Sequence, residues 1–297
     1  MVIQIGGGIR VNKAIEQEEQ NDSLPHKELE SIEVDLLLEG IYRYYGFDFR
    51  NYALPFLKRR IWNRMRTEKV TSISGLQERV LHDSSVMEKL CEDFSINVTE
   101  MFRDPSFFLS FRTKVIPFLR DCSSIKIWHA GCSTGEEVYS MAILLYEEGL
   151  YEKTRIYATD MNRTVLTYAQ NGEFPLQKMQ LYTKNYLAAG GTSAFSEYYT
   201  AKQKKAAFHP FLAKNIIFAE HNLAADRSFN EFHIIICRNV MIYFNKLLQN
   251  RVYNLFHESL VQSGILGLGS KEGIKFTSIT NFYEEVDPFE KIYRKIQ

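Results

Sequence analysis

The feature that most constrains the fold is a run of 36 residues in which a strand, a small-residue turn, a helix and a second strand follow one another. Ile125–Ala130 is β-rich, GCSTGEE is typical of a turn, and Glu136–Glu148 has a helical pattern. Arg155–Thr159 predicts the second strand, which ends at Asp160. Such a strand–turn–helix–strand order predicts an α/β sheet domain.

The alternation continues towards the C-terminus. Three consecutive isoleucines within Phe232–Cys237 predict a strand that is buried on both faces. We also expect helices at Thr164–Gln170 and Lys246–Val261, strands at Ile216–Ala219 and Ile265–Gly269, and closing antiparallel strands near Phe276 and Lys291–Arg294. The stretch from Tyr182 to Phe211 has no regular pattern and is interpreted as an insertion.

The turn after the first strand indicates a nucleoside site. Its small residues Gly131, Ser133 and Gly135 let the backbone approach a ligand, and Asp160 can accept hydrogen bonds from both ribose hydroxyls. The helix opens with Glu136 and Glu137, whose charges oppose a pyrophosphate at the same helix N-terminus. S-adenosylmethionine, which has no phosphate and carries cationic groups, is therefore favoured. The alternative is that these glutamates only cap the helix and that Asp160 has no special role.

Two further segments carry polar groups at useful positions. The run from Asn97 to Pro105 offers three kinds of donor: the amide of Asn97, the hydroxyl of Thr99 and the guanidinium of Arg103. The guanidinium can pair with a carboxylate. Arg238 and Asn239 directly follow the buried isoleucine strand, at the sheet edge where open α/β sheets bind ligands, and Tyr243 lies just beyond. Each segment by itself is also compatible with a helix cap and a surface arginine, or with an ordinary strand end.

The N-terminal third has a different character. We predict a flexible acidic leader over residues 1–25, then a helical domain over 26–95, with helices at Leu54–Arg66, Ile73–Leu81 and Ser85–Phe94. The helix from Leu54 has an apolar stripe, and its other side carries cations that form either a solvated face or a docking surface for an acidic partner. The four arginines of that surface are Arg59, Arg60, Arg64 and Arg66.

Composition excludes several classes of protein. The 36 basic and 36 acidic residues cancel, which argues against a bulk polyanion binder. The longest apolar stretch is much shorter than a membrane-spanning helix, and no secretory signal is readable at the start, so we expect a cytoplasmic protein. The four cysteines form no CxxC pair and no Cys/His cluster has zinc spacing, so no metal site is predicted.

Four motifs together resemble one family. NVTEMFRDP, AGCSTGEEVYS, YATDMN and CRNVMIYF are similar, in order and approximate spacing, to the chemotaxis receptor glutamate methyltransferases, the CheR family. The resemblance implies a class I, Rossmann-like S-adenosylmethionine-dependent methyltransferase domain over residues 96–297, a small all-helical N-terminal domain, and a small β-subdomain inserted at about 184–211. It also implies methyl transfer to glutamates of the cytoplasmic helical bundle of chemoreceptors. We expect the protein to be a monomer.

The resemblance carries over to individual positions. Arg103 and Tyr243 match the residues beside the reacting methyl group, and the basic helix matches the receptor-facing helix. The positions that match cofactor contacts are Asn97, Thr99, Arg103, Glu136, Asp160, Asn222, Leu223, Arg238 and Asn239. Val138, Cys132 and Met101 depart from the usual pattern, but none of these changes removes a charged contact. The alternatives are a nucleic-acid or small-molecule methyltransferase, and a non-catalytic cofactor-binding scaffold.

Overall fold

The computed structural model describes residues 10–95 and 98–297, with side chains from residue 27 onward. The described chain forms two compact units. The first contains the residues up to Arg50 together with Leu54–Phe94, and the second contains Asn51–Ala53 together with the residues from Ser95 to the C-terminus. The predicted domain bounds, 26–95 and 96–297, stay predictions.

The first unit is all helical. Ser72 caps its third helix, because the Ser72 hydroxyl accepts a hydrogen bond from the Gly75 N–H. The second helix buries Phe56, Leu57, Ile61 and Met65 against its neighbours. The four helices are α1 (Arg10–Tyr45), α2 (Leu54–Glu68), α3 (Ile73–His82) and α4 (Ser84–Phe94). The three helices predicted after Leu54 are therefore confirmed to within two residues.

Helix α1 differs from the expectation. It begins at Arg10, inside the predicted leader, because glutamate and glutamine are good helix formers and this stretch contains many of them. Its buried stripe is Val34, Leu37, Leu38 and Ile41, whereas Ile32 lies more than half exposed. Although α1 has 36 residues, neither it nor another helix in the described part of the chain is apolar enough to span a membrane.

A seven-stranded sheet organises the second unit. Its strands are β1 (Ile125–Ala130), β2 (Thr154–Asp160), β6 (Ile216–Glu220), β7 (Phe232–Cys237), β8 (Leu260–Leu268), β9 (Tyr283–Asp287) and β10 (Ile292–Lys295). Their order is β6-β2-β1-β7-β8-β10-β9. The first five strands are parallel, and β10 pairs antiparallel with both β8 and β9. This is the expected Rossmann-like α/β architecture.

The remaining helices of this unit pack on the sheet and on the inserted segment. They are α5 (Pro105–Ser110), α6 (Ile116–Leu119), α7 (Glu136–Glu147), α8 (Arg163–Asn171), α9 (Met179–Ala188) and α10 (Lys246–Ser259), with a π-helical turn at Phe111–Val115. Asn162 caps α8 and Asn245 caps α10 with their side-chain oxygens. These two caps explain why both helices begin within two residues of the predicted start.

The core lies on both faces of the parallel strands. Ile234, Ile235 and Ile236 of β7 are at most 1% exposed, which confirms a strand buried on both sides. Trp128 in β1 is also fully buried, and its indole N–H donates to the Thr159 hydroxyl at 2.8 Å. Burying a side chain of this size contributes about 2 kcal/mol or more, so the sheet centre is a rigid base for the loops at its edge.

The predicted insertion is real, but its bounds differ. A small antiparallel sheet of β3 (Glu173–Pro175), β5 (Lys205–Phe208) and β4 (Tyr199–Lys202) begins before residue 184, and residues 184–188 belong to helix α9. The sequence missed β3 because three residues are too short for a pattern. Phe276 was expected near a closing strand, but it is fully exposed in a loop, and the strand is β9 instead.

Candidate active site

The candidate site lies where the parallel strands end. The chain leaves β1 in one direction to form β2 and β6, and returns on the other side of β1 to form β7, so the order reverses between β1 and β7. Open α/β sheets bind ligands at this reversal, outside the carboxyl ends of the strands. The two loops meet there: a Cβ on Gly131 would lie 2.6 Å from a methyl carbon of Val240.

The loop after β1 is held against the end of β2. Gly131 and Gly135 have φ of +79° and +93°, which favours glycine, and an added Cβ at Gly135 would lie 2.8 Å from that of Ala169. The Ser133 N–H donates to one Asp160 carboxylate oxygen at 2.9 Å, and the Asn162 N–H donates to the other at 3.0 Å. The turn and Asp160 are therefore held together by hydrogen bonds, while their expected contact with a nucleoside stays a prediction.

Glu136 begins α7 and points into the protein. It is 3% exposed, and it accepts hydrogen bonds from the hydroxyls of Thr134 (2.6 Å) and Tyr182 (3.3 Å). Burial raises the pKa of both Glu136 and Asp160, although hydrogen bonds to each carboxylate act in the opposite direction. A cation or hydrogen-bond donor placed beside either carboxylate would stabilise its ionised form.

Arg238 joins two parts of the site that are distant in sequence. Its guanidinium lies 2.6 Å from the Asp104 carboxylate, 2.9 Å from that of Glu137, and 4.2 Å from the ring centre of Phe107. It also donates to the Arg103 carbonyl oxygen at 3.2 Å. These partners give Arg238 a positioning role that the sequence did not predict, while its expected contact with a cofactor stays a prediction.

Glu137, whose side chain is 19% exposed, is another charge of this network. Besides Arg238, its carboxylate contacts the imidazole Nδ1 of His129 at 3.1 Å. Burial alone would raise the pKa of Glu137, but the hydrogen bond from His129 and the charge of Arg238 lower it below its usual value. An ionised Glu137 therefore holds the guanidinium in place.

The remaining predicted residues lie in the loops of the same unit. Thr99 and Arg103 are half-buried, and the Arg103 guanidinium donates to the Val98 carbonyl oxygen at 3.1 Å. Tyr243 is half-buried in a short 3₁₀ turn, Met241–Tyr243, and its carbonyl oxygen accepts from the Ala53 N–H. Asn97 lies outside the described residues.

The loop after β6 contains the other two predicted contacts. The Asn222 side-chain oxygen accepts from the Ala224 N–H at 2.9 Å, and the Asn222 N–H donates to Asp226 at 2.8 Å. Leu223, which comes next, is 7% exposed. Asn222 thus shapes a turn at the edge of the sheet that presents Leu223 to the protein interior.

Four non-glycine residues of these loops have left-handed backbone conformations. Phe102, Asp104, Ser133 and Asn239 are not glycines, yet all four have φ between 51° and 62°. Non-glycine residues in this region cost of order 1–3 kcal/mol each and persist where the surroundings enforce them. The hydrogen bonds of Asp104, Ser133 and Asn239 are such constraints, so the loop conformations are built into the site.

Family models match both units of the chain. Residues 97–290 match the model described as CheR methyltransferase, SAM binding domain, and residues 32–95 match the one described as CheR methyltransferase, all-alpha domain. The chain belongs to the CheR methyltransferase family. Its cofactor is S-adenosylmethionine (SAM), and the family assignment made from the four motifs is confirmed.

Relatives of this CheR protein differ in how closely they match. Among solved structures, PKMT2 from Rickettsia typhi covers 58% of this chain and 26% of its own, with 13% identity and a TM-score of 0.35. A Pseudomonas putida protein named Cher3, described as a candidate methyltransferase, is 50% identical over 89% of this chain and 97% of its own. A chemotaxis protein methyltransferase of Listeria monocytogenes is 28% identical over 77% of this chain and 85% of its own length. The similarity to named chemotaxis enzymes is thus lower than that to Cher3.

The residues of the site fit the CheR cofactor. Side chains at Gly131 and Gly135 would collide with Val240 and Ala169, so these positions keep the loop close to the backbone around it. The carboxylates of Glu136 and Asp160 are acceptors of the kind that ammonium and ribose hydroxyl donors require, and donors of this kind would offset the effect of burial on each ionised carboxylate. When bound, S-adenosylmethionine supplies an activated methyl group.

Only some of the four arginines predicted to form a docking surface on the basic helix of the CheR all-alpha domain are exposed. Arg59 and Arg66 are exposed and Arg60 is half-buried, with its guanidinium 5.7 Å from the ring centre of Phe56. Arg64, in contrast, is 9% exposed and bonds to Asp93 at 2.7 Å and to the Lys89 carbonyl oxygen at 3.0 Å. The prediction that Arg64 belongs to a docking surface is therefore wrong, because helical periodicity placed it near the polar edge of a face that tertiary packing covers.

Sequence reasoning also missed contributors from distant segments. Tyr182, from the inserted helix α9, reaches Glu136, and no spacing rule connects these two residues. Tyr52 packs against Phe244 with ring centres 5.0 Å apart, and its hydroxyl lies 3.4 Å from the Met161 sulfur. The short segment Asn51–Ala53 thus braces the loops after β2 and β7, which its own sequence did not indicate.

Proposed function

We propose that this protein transfers methyl groups from S-adenosylmethionine to glutamate side chains in the cytoplasmic helical bundle of chemoreceptors, which forms methyl esters during sensory adaptation. The observation that carries the proposal is the family match over both domains, together with relatives named chemotaxis protein methyltransferases. The protein would act in the cytoplasm as a monomer.

The site needs to do little chemistry for this reaction. A glutamate has an ordinary pKa near 4.3, so its carboxylate is already ionised at neutral pH and can act as nucleophile without a general base. The protein must bring the carboxylate oxygen into line with the methyl carbon and remove water. Arg103 and Tyr243 are proposed to orient the reacting groups, and Glu136 and Asp160 to hold the cofactor.

Arg103 is suited to this role by its existing partner. Its guanidinium already donates to the Val98 carbonyl oxygen, which leaves further N–H donors for an incoming carboxylate. A carboxylate that meets only the remaining donors makes fewer hydrogen bonds than one bound by the whole guanidinium, so its oxygens keep more of their nucleophilicity. Asn97, Thr99, Asn222, Leu223, Arg238 and Asn239 are proposed to complete the cofactor site.

The receptor is proposed to dock on α2. Arg59 and Arg66 are exposed and Arg60 is half-buried, which gives this helix a cationic surface for the acidic side chains of a receptor bundle. Arg64 is left out because its charge is already paired inside the helical unit.

A methyl-transfer assay tests the proposal. The protein is incubated with S-adenosylmethionine carrying a labelled methyl group and with membranes that contain native chemoreceptors. Label that appears on the receptor band and is released by mild base is a carboxyl methyl ester and supports the proposal. Base-stable label on RNA or on a small molecule, or cofactor binding without label on any receptor, would overturn it.

A further inference from the structure

A buried carboxylate lies under the loop that contains Asn239 and Tyr243. Glu272 follows β8, is 7% exposed, and has no role among the residues discussed so far. One of its oxygens accepts from the N–H groups of Val240 (2.9 Å) and Met241 (2.7 Å). The other accepts from Asn239 (3.0 Å) and Gly269 (2.7 Å). Four backbone donors therefore converge on a single side chain.

The loop geometry depends on this convergence. Three successive N–H groups can point to one acceptor only if the chain turns sharply, and Asn239 provides that turn with a φ of 62°. Gly269 allows the approach, because an added Cβ there would lie 2.7 Å from the Glu272 carboxylate and 2.8 Å from the Asn239 nitrogen. The conformation of the loop and the presence of the carboxylate are thus linked.

We infer that Glu272 is a positioning residue for methyl transfer: it holds the Asn239–Met241 backbone so that Asn239 and Tyr243 meet cofactor and substrate in a fixed geometry. The inference rests on the proposed roles of Asn239 and Tyr243. Glu272 itself touches only backbone in this loop, so it acts through its neighbours. Burial raises the pKa of Glu272 although the four backbone donors act in the opposite direction, and an apolar residue in its place would leave those four N–H groups without their acceptor.

A Glu272→Gln variant tests this inference with little change of shape. An amide has one oxygen, and its NH₂ group can only donate, so two of the four backbone N–H groups lose their acceptor in either orientation. We expect the amides of Asn239, Val240 and Met241 to exchange hydrogen roughly tenfold faster or more. We expect kcat to fall by a similar factor, with a smaller change in KM for the receptor, since the docking surface is unaltered.

Two further variants keep the test decisive. Glu272→Asp keeps the charge but has a shorter reach, and it should restore part of the exchange protection and of kcat. Gly269→Ala perturbs the same cluster from the other side and should loosen the same three amides. Either variant still tests the inference if Glu272→Gln fails to fold.

The matched control is Glu147→Gln. Glu147 is also a buried carboxylate, with a side chain 3% exposed and bonds from Arg112, Tyr186 and Tyr198, but it lies at the end of α7 beside the insertion. The Glu147→Gln variant should lower Tm. It should leave amide hydrogen exchange at Asn239–Met241 unchanged, and also kcat measured well below Tm. Unaltered exchange in Glu272→Gln, or a loss of kcat that only follows Tm in both variants, would overturn the inference.

The exchange measurement does not depend on the identity of the substrate. If the wild-type protein methylates no receptor, the proposed function fails, yet amide exchange still decides whether Glu272 holds the loop. Titration with S-adenosylhomocysteine then shows whether the loosened loop alters the cofactor site.

Discussion

The guanidinium of Arg238 lies 2.6 Å from the carboxylate of Asp104, although 134 residues separate them in the sequence. This ion pair connects the loop after β7 to the segment that carries Arg103, and Glu137 completes it from the first turn of α7. Residues proposed to bind the cofactor and residues proposed to orient the methyl group are thereby held by one ion-pair network, in which Arg238 is buried and Asp104 is partly exposed.

We expect removal of Arg238 to be strongly destabilising. Its side chain is 2% exposed, so Arg238→Gln leaves the Glu137 charge without its cation and should lower the free energy of unfolding by about 3–5 kcal/mol. Asp104→Asn should cost about 1 kcal/mol, because Asp104 is 42% exposed. Urea denaturation measures both. Arg163→Gln breaks the exposed ion pair with Glu220 and serves as control. If Arg163→Gln and Arg238→Gln lowered the free energy of unfolding equally, the structural role of Arg238 would be wrong.

Substitutions at Asp160 and at Tyr243 should affect different steps, cofactor binding and turnover respectively. Asp160→Ala removes a carboxylate beside the cofactor loop and should weaken S-adenosylhomocysteine binding by roughly tenfold or more, measured by calorimetric titration. Tyr243→Phe should leave that affinity nearly unchanged and lower kcat by roughly tenfold or more in the methyl-transfer assay. Tyr168→Phe, at a largely exposed position, is the control. If the two effects were exchanged, the proposed roles would be wrong.

Cofactor affinity should depend on pH in a defined direction. Burial raises the pKa of Glu136 and Asp160 in the free protein, and hydroxyl and ammonium donors favour the ionised carboxylates. Binding then releases protons, so affinity for S-adenosylhomocysteine should increase as the pH rises through the raised pKa values and level off above them. Titration calorimetry over a pH series measures this. Asp160→Asn and Glu136→Gln should each make the affinity less dependent on pH. If the pH dependence were unchanged in both variants, these two carboxylates would not be its cause.

Asp287 should stabilise the fold above acidic pH. Burial alone would raise its pKa, but bonds from Lys114 and Ser110 outweigh that effect and lower the pKa to about 2. A lowered folded-state pKa adds stability above the ordinary value near 3.9, and this stability is lost as the pH falls towards 2. Asp287→Asn should cost about 2 kcal/mol at pH 7, measured by urea denaturation, and the difference from wild type should narrow between pH 4 and pH 2. A pH-independent difference would refute this account.

Helix α2 offers a contrast between docking and structural arginines. Arg59→Glu with Arg66→Glu reverses two exposed charges and should raise KM for receptor membranes several-fold, with little change in Tm or in cofactor affinity. Arg64→Ala should instead lower Tm, because it leaves Asp93 and Glu68 without their common partner. Thermal unfolding and the methyl-transfer assay distinguish the two. Equal receptor methylation in the wild type and the reversed variant would make α2 an ordinary solvated helix.

Much of the fold follows from local patterns. Three helices after Leu54 and the strands β1, β2, β6 and β7 lie within about two residues of the expectation, because apolar periodicity and caps such as Asn162 are local signals. The errors lie where such signals are weak or conflict. The short strand β3 has no pattern, and the start of α1 was hidden by turn-forming residues within a helix-favouring stretch.

The sequence by itself determined the parallel sheet, the loop that carries Asp160 and Glu136, the family and the cofactor, since each depends on residue types at short spacing. Only the tertiary structure decided which charged side chains are available. Arg64, Arg238 and Glu272 are all polar residues next to polar neighbours in the sequence, yet each is buried and hydrogen-bonded to partners that lie 3 to 134 residues away. Burial makes an unpaired charge costly, and the partners that meet this cost are brought together only when the strands and helices pack.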